Sequence, residues 1–117
     1  MTRILTDARL KQIAEARIAD PDALGPTLAE LIIDGNVPVE VVAELLSVSD
    51  VTIYRWMYGE ARPRDADKII KIKRLITILR KAKRAKDLPL AGTVKERCKA
   101  MQRVVRTHKP QPKPIAA

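Results

Sequence analysis

The sequence is poor in the residues from which most catalytic and metal sites are built. Its 117 residues include one cysteine, Cys98, and one histidine, His108. One cysteine cannot form an intramolecular disulfide, and together the two residues cannot supply the four ligands of a structural zinc site. The four glycines stand singly, so the sequence has no glycine-rich loop for phosphate. We therefore expect no enzyme activity, no metal, no cofactor and no small-molecule substrate.

Aromatic residues and long apolar runs are also scarce. The chain has one tryptophan, two tyrosines and no phenylalanine, so its core must be mainly aliphatic. The apolar runs are only a few residues long, which is too short to cross a bilayer, and we expect no membrane partner. The first residues lack the apolar stretch of a signal peptide. Together with the single cysteine, these features favour a cytoplasmic protein.

Charge is abundant and is distributed unequally along the chain. Residues 1–61 carry five basic and ten acidic side chains, whereas residues 62–117 carry eighteen basic and four acidic ones. The formal net charge is +9. Such segregation is typical of a polyanion-binding half joined to an acidic half. The alternative is a solvated surface that serves solubility, although solubility alone does not require segregated charge.

Hydrophobic periodicity and helix-terminating residues predict an all-α fold. The predicted helices cover residues 7–19, 26–34, 38–46, 50–57, 65–86 and 94–107. Thr6 or Asp7, Ser49, Asp65 and the Thr93–Glu96 capping box are suited to begin four of them. Gly35 is expected to end the second helix in the left-handed conformation.

Three of the predicted helices have a marked apolar side. In the first helix it consists of Leu10, Ile13, Ala14 and Ile18. In the long fifth helix six residues fall in an arc of roughly 140°: Ile69, Ile72, Leu75, Ile76, Leu79 and Ala82. The stripe of the last helix, Val94, Cys98, Met101 and Val105, is narrow. We expect the last two helices to form a homodimer or a higher homo-oligomer; the alternative is a monomer with the last helix folded back.

The most specific pattern lies in residues 39–58. Two short helices that cross closely need a small side chain at the crossing, and Ala43 provides it. Apolar residues stand at the matching offsets: Val42, Leu46, Val48, Ile53 and Trp56. Here the chain resembles the helix-turn-helix family of bacterial and phage regulators, in particular its phage-repressor (Cro-like) branch. Gly59 and Pro63 fit the continuation that is common in that branch, and Ser47 stands where the family favours glycine in the left-handed conformation.

The resemblance implies that the second helix of the motif enters the major groove of double-stranded DNA. The residues expected to read bases are Ser49, Asp50, Val51, Tyr54, Arg55 and Tyr58. Arg55 can bind guanine, Asp50 can accept from the cytosine amino group, and Val51 can contact a thymine methyl group. Apart from Arg55 the motif is acidic, so phosphate contacts must come mainly from the basic segment on its C-terminal side. The residues expected to contact phosphate are Thr52, Arg62, Arg64, Lys68, Lys73, Arg80 and Arg84.

The sequence thus divides into three predicted parts. Residues 1–64 form a compact helical domain with the helix-turn-helix, residues 65–107 form a basic helical extension available for oligomerisation, and residues 108–117 form a disordered tail. The first hypothesis is a sequence-specific transcriptional regulator, associated with the nucleoid of a bacterium or a phage-infected bacterium. The second is a DNA-handling protein without a regulatory role, such as a small terminase-like packaging subunit or a recombination accessory factor. The third is a structural or RNA-binding protein that uses only the basic half.

Overall fold

The computed structural model describes residues 6–108. These residues form six helices and no strand, in agreement with the all-α prediction. The helices are α1 Asp7–Ala19, α2 Leu24–Asp34, α3 Val39–Leu46, α4 Asp50–Met57, α5 Ala66–Arg84 and α6 Val94–His108. None of the helices in residues 6–108 is long and apolar enough to cross a membrane.

Side-chain caps begin the helices where the sequence predicts them. The hydroxyl of Thr6 accepts from the backbone N–H of Arg9, and the hydroxyl of Ser49 accepts from that of Thr52, each at 3.2 Å. Asp65 and Thr93 accept in the same way at the starts of α5 and α6. Because these bonds satisfy N–H groups that lack partners inside the helix, they fix where each helix begins.

The end of α2 differs from the prediction. Gly35 has a φ of −85°, and it is the next residue, Asn36, that adopts a positive φ of 53°. Asparagine tolerates this conformation because its short side chain can bond nearby groups. The Asn36 amide donates to the carbonyl oxygen of Leu90 at 2.8 Å, which ties the end of α2 to the loop before α6.

One hydrophobic core includes residues from all six helices. Its buried members include Ile13, Leu28, Val42, Ile53, Leu79 and Met101, one from each helix in order. The longest helix, α5, packs on α2 and α3, and α6 packs on α5 and α3. The predicted boundary at residue 64 therefore does not separate two cores, and α5 and α6 complete the packing of α2 and α3 rather than extending from it.

The apolar side of α6 is also satisfied within one chain. Met101 and Val104 are buried in the core, and Cys98 and Val105 are half-buried against it. In α5, Ile78 is buried as well, because α6 covers that side of the helix. The narrow apolar stripe of α6 is the feature that predicts an oligomer through the last two helices. Because this stripe is covered within one chain, it requires no second copy.

The predicted apolar side of α1 is mostly wrong. Only Ile13 is buried, whereas Leu10 is 37% exposed and Ile18 is 81% exposed. The cause is that α1 packs mainly on α2, so only part of its circumference is covered.

His108 is not the first residue of a tail, as predicted, but the last residue of α6. Its Nε2 lies 2.6 Å from Oδ2 of Asp87, in the loop after α5. This hydrogen bond joins the C-terminal end of α6 to the loop at the end of α5. The rest of the predicted tail, residues 109–117, lies outside the described residues.

Candidate nucleic-acid interface

The turn between α3 and α4 begins at a residue in the left-handed conformation. Ser47 adopts the left-handed conformation, with φ 55° and ψ 44°, at a cost of roughly 1 kcal/mol for a residue other than glycine. The N–H of Val48 then donates to the carbonyl oxygen of Ala43 at 3.0 Å, and Ser49 begins α4 in extended backbone. The chain thereby reverses within three residues, and the small side chain of Ala43 is buried where the two helices meet.

The apolar residues of the motif pack as the sequence predicts. Val42, Leu46, Ile53 and Trp56 are buried, and Val48 in the turn is half-buried against the core. Burial of these side chains holds α4 against α3 and α2. Trp56 is accordingly a core residue, and the opposite side of α4 is left to solvent.

Three side chains make up the exposed side of α4 that we call the reading face: Asp50, Val51 and Arg55. All three are exposed, and Val51 is one of the few large apolar residues in residues 6–108 with substantial exposure, at 43%. Ser49 is also exposed, but its hydroxyl lies 3.0 Å from that of Thr52 as well as capping the helix. The predicted contacts of Ser49 and Thr52 with DNA would therefore compete with hydrogen bonds inside the first turn.

Tyr54 and Tyr58 do not lie on the reading face, which corrects the prediction that both project outward. Their exposed fractions are only 5% and 7%. The two rings stack with their centres 5.9 Å apart, and the guanidinium of Arg9 lies 4.3 Å from the centre of the Tyr58 ring. Tyr58 is covered by α1, whose Gln12 also donates to the carbonyl oxygen of Tyr58 at 3.4 Å, whereas Tyr54 lies among residues of α2, α3 and α6. Both tyrosines thus belong to the packing that supports α4.

A charged cluster next to Tyr58 holds the C-terminal end of α4. Arg9 donates to Oε1 of Glu60 at 2.9 Å, and Gln12 approaches the same oxygen at 3.4 Å. The hydrogen bond from Arg9 is the main reason why the pKa of Glu60 lies below its ordinary value, and Gln12 and the charge of Arg55 act in the same direction. Glu60 therefore stays ionised and ties α1 to the chain after α4.

Lys68 has a structural role that the sequence did not indicate. Its ammonium donates to the carbonyl oxygen of Leu46 at 2.7 Å and lies 3.3 Å from that of Ser47. A positive charge at the C-terminus of a helix satisfies carbonyl groups that lack partners and interacts favourably with the helix dipole. Lys68 was predicted to contact phosphate, but its ammonium instead caps α3 and fastens α5 to the turn.

Replacing Lys68 with methionine is expected to lower the free energy of unfolding by about 1 kcal/mol, because two carbonyl groups lose a charged donor. Urea denaturation measures this change. The matched control is Lys71→Met, one turn later on the same helix, where the side chain is exposed and we expect almost no change. Equal stability of the two variants would contradict a capping role for Lys68.

The other residues predicted to contact phosphate have different environments. Arg62 donates to Oδ2 of Asp20 at 3.2 Å, so part of its charge is already paired. Arg64 is exposed in the loop before α5. Lys73, Arg80 and Arg84 are exposed, as predicted from their positions outside the apolar arc.

Two basic residues next to the turn were missed by the sequence reasoning. Lys71 and Arg74, which we call the turn-side pair, are exposed and line a shallow groove of about 150 Å³ with Leu45 and Leu46 of α3. By contrast, Arg80 and Arg84 come 12 and 16 residues after Lys68, which corresponds to about 18 and 24 Å along the helix. The sequence signal was the three-residue spacing from Lys68 through Lys71 to Arg74, which becomes informative once Lys68 is known to touch the turn.

Little in the described residues favours redox or metal chemistry. Residues 6–108 contain no group of three or more His, Cys, Asp or Glu side chains placed to hold a metal ion. Cys98 is half-buried in α6. Burial raises the pKa of its thiol, and the negative charges of Glu40 and Glu44 raise it further. The thiol therefore stays protonated at neutral pH, in line with a packing residue.

The candidate interface thus has two adjoining parts. The reading face offers a guanidinium, a carboxylate and an apolar side chain, which are groups that can distinguish base edges. The turn-side pair offers positive charge beside Leu45 and Leu46, at the end of α3. No protein-family model matches this chain, and no match was found among curated proteins or solved structures.

Proposed function

We propose that this protein binds double-stranded DNA in a sequence-specific manner and acts as a transcriptional regulator of the phage or bacterial type. The observation that carries the proposal is the geometry of α3, the turn and α4. A left-handed residue, a capping serine and a buried crossing at Ala43 leave the N-terminal part of α4 exposed. A helix presented in this way can enter the major groove with its first residues towards the bases.

In this proposal the three side chains of the reading face specify the sequence. Arg55 donates to O6 and N7 of guanine, Asp50 accepts from the amino group of cytosine, and Val51 packs on a thymine methyl group. Tyr54 and Tyr58 support the helix from behind and are not base contacts. Because the reading face carries one positive and one negative charge, it contributes discrimination rather than net attraction.

The attraction comes from the basic half of the chain. Residues 62–117 carry eighteen basic and four acidic side chains, and the turn-side pair places two of these charges next to the turn. Positive side chains near phosphates release counterions from DNA, which supplies most of the affinity for any sequence. In this proposal, α4 determines which sequence is preferred, and α5 supplies most of the affinity for any DNA.

A reading face of three side chains can specify only a few base pairs. Each good contact discriminates by about 1–3 kcal/mol, so one copy alone distinguishes its site weakly from the bulk of a genome. We therefore propose that two copies bind a site with two-fold symmetry, as in dimeric helix-turn-helix proteins. Since the apolar side of α6 is used within one chain, the contact between copies is expected to form on another surface.

Selection of bound DNA from a random pool tests the proposed function. Enrichment of a motif with two-fold symmetry, bound by two copies, is the expected result. A complete lack of enrichment would contradict sequence-specific binding and favour a protein that uses its basic half alone. A ring of eight or more copies, found by sedimentation, would instead favour the DNA-packaging hypothesis.

Replacing Arg55 with alanine is expected to weaken binding to the selected sequence by about 1–3 kcal/mol and to change binding to random DNA much less. The reason is that Arg55 is the only basic residue of the motif and its side chain is exposed. The matched control is Arg103→Ala on α6, an exposed arginine outside the motif. If the Arg55 variant loses the same binding free energy on the selected sequence and on random DNA, Arg55 contacts phosphate and does not read a base.

A further inference from the structure

A cavity of about 260 Å³ lies behind the motif, where the end of α2, the start of α3 and the start of α6 meet. Most of its wall is aliphatic, with Ile32, Ile33, Val37, Pro38, Val39 and Val94. Tyr54 of α4 forms part of the wall, and three polar residues complete it: Asn36, Glu40 and Arg97. The volume lies just below the lower end of the usual range for small-molecule sites, about 300 Å³. An occupant must therefore be small and largely apolar.

Arg97 brings a positive charge to the wall of this cavity. One nitrogen of its guanidinium, Nη1, donates to the backbone carbonyl oxygen and to the side-chain oxygen of Asn36, each at 3.0 Å. Its Nε is buried and has no partner, and it is the only buried side-chain nitrogen or oxygen without one in residues 6–108. Because this Nε has almost no accessible surface, a ligand in the cavity does not reach it, and what Arg97 brings to the cavity wall is the positive charge of its guanidinium.

Glu40 places the opposite charge on the same cavity. It is half-buried, and neither Glu40 nor Arg97 forms an ion pair with any residue of the described part of the chain. A simple anion would be attracted by Arg97 and repelled by the Glu40 carboxylate. A ligand that carries both charges satisfies the two groups at once, and the aliphatic wall suits an apolar side chain.

We propose that this cavity binds a small zwitterion with an apolar side chain, of the class of the aliphatic α-amino acids. The ligand carboxylate pairs with the guanidinium of Arg97, its ammonium donates to the Glu40 carboxylate, and its side chain lies on the aliphatic wall. The site touches α2, α3, α4 and α6, so its occupant strengthens the packing of the motif on the rest of the core. The proposal does not depend on DNA binding.

Calorimetric titration of the unmodified protein with four probes tests the proposal without DNA. The probes are L-leucine, 4-methylpentanoate, which lacks the ammonium, 3-methylbutylamine, which lacks the carboxylate, and glycine, which lacks the side chain. L-leucine is expected to bind with a Kd below about 1 mM and to raise the Tm. Each of the other probes is expected to bind at least about tenfold more weakly, because each lacks a charged hydrogen bond or the apolar packing.

A variant of each charged residue separates the two interactions. Glu40→Gln is expected to weaken the binding of L-leucine by about tenfold and to leave the binding of 4-methylpentanoate unchanged or slightly stronger. Arg97→Lys is expected to weaken both, and circular dichroism checks that it folds, because Arg97 also ties Asn36. Binding of 4-methylpentanoate as tight as that of L-leucine would overturn the role of Glu40. No binding of any probe at about 10 mM, roughly ten times that Kd limit, would leave the cavity to water and overturn the proposal.

Discussion

Replacing Gly25 with alanine is expected to destabilise the protein by more than about 3 kcal/mol. A Cβ atom at this position would overlap the backbone carbonyl oxygen of Trp56 and would lie 2.7 Å from the carbonyl carbon. Carbon atoms pack at about 3.5–4.0 Å, and a backbone inside a helix cannot move aside as a flexible side chain can. Total stability for a domain of this size is about 5–15 kcal/mol, so the loss is a large fraction of it.

The expected sign is opposite to that of helix propensity. In an exposed helix, glycine to alanine gains about 1 kcal/mol, so a large loss at Gly25 reports the approach of α2 to α4 and not the helix itself. The control is Glu30→Ala in the same helix, where an exposed side chain loses one ion pair with Arg17 and we expect a change within about 1 kcal/mol. Urea denaturation measures both variants. Equal stability of Gly25→Ala and the unmodified protein would mean that the backbones of α2 and α4 are not in contact.

The motif itself was predictable because each step rests on local chemistry. Ser49 caps α4 through its own hydroxyl, Ser47 reverses the chain, and Ala43 permits the crossing; all three depend on residues within a few positions. The same holds for the caps at Thr6 and Asp65. Local hydrogen bonds and backbone preferences are determined largely by neighbouring residues, so the start of each of these helices could be predicted from the sequence.

The composition of the interface was less predictable because it depends on distant elements. Tyr54 and Tyr58 have the spacing of exposed helical residues, but both are buried by distant elements. Tyr58 is covered by α1, and Tyr54 lies among residues of α2, α3 and α6. Lys68 is likewise one basic residue among many until the packing of α5 brings it to the carbonyl groups of α3. A helix's own periodicity shows which side is apolar, but it does not show how many neighbours cover that side.

Neutralising the turn-side pair with Lys71→Gln and Arg74→Gln is expected to weaken binding to every DNA sequence. Both residues line the groove next to the end of α3, close to the turn that precedes the reading face. Each side chain that no longer neutralises a phosphate reduces the slope of log affinity against log salt by about 0.9, so the pair accounts for up to about 1.8. The measurement is affinity for a selected site and for random DNA at several salt concentrations. The preferred sequence should stay the same, because the reading face is unchanged.

The matched control removes two charges from the same helix at a greater distance, with Arg80→Gln and Arg84→Gln. Both side chains are exposed, so neither pair of substitutions should change stability much, and thermal unfolding checks this. If position matters, the control should leave the salt slope nearly intact although the net charge changes equally. A larger effect of the control pair would place the DNA on the opposite side of α5, where Lys73 also lies. Equal effects would mean that the positive charge acts diffusely, and a docked geometry with α5 beside the DNA backbone would lose its support.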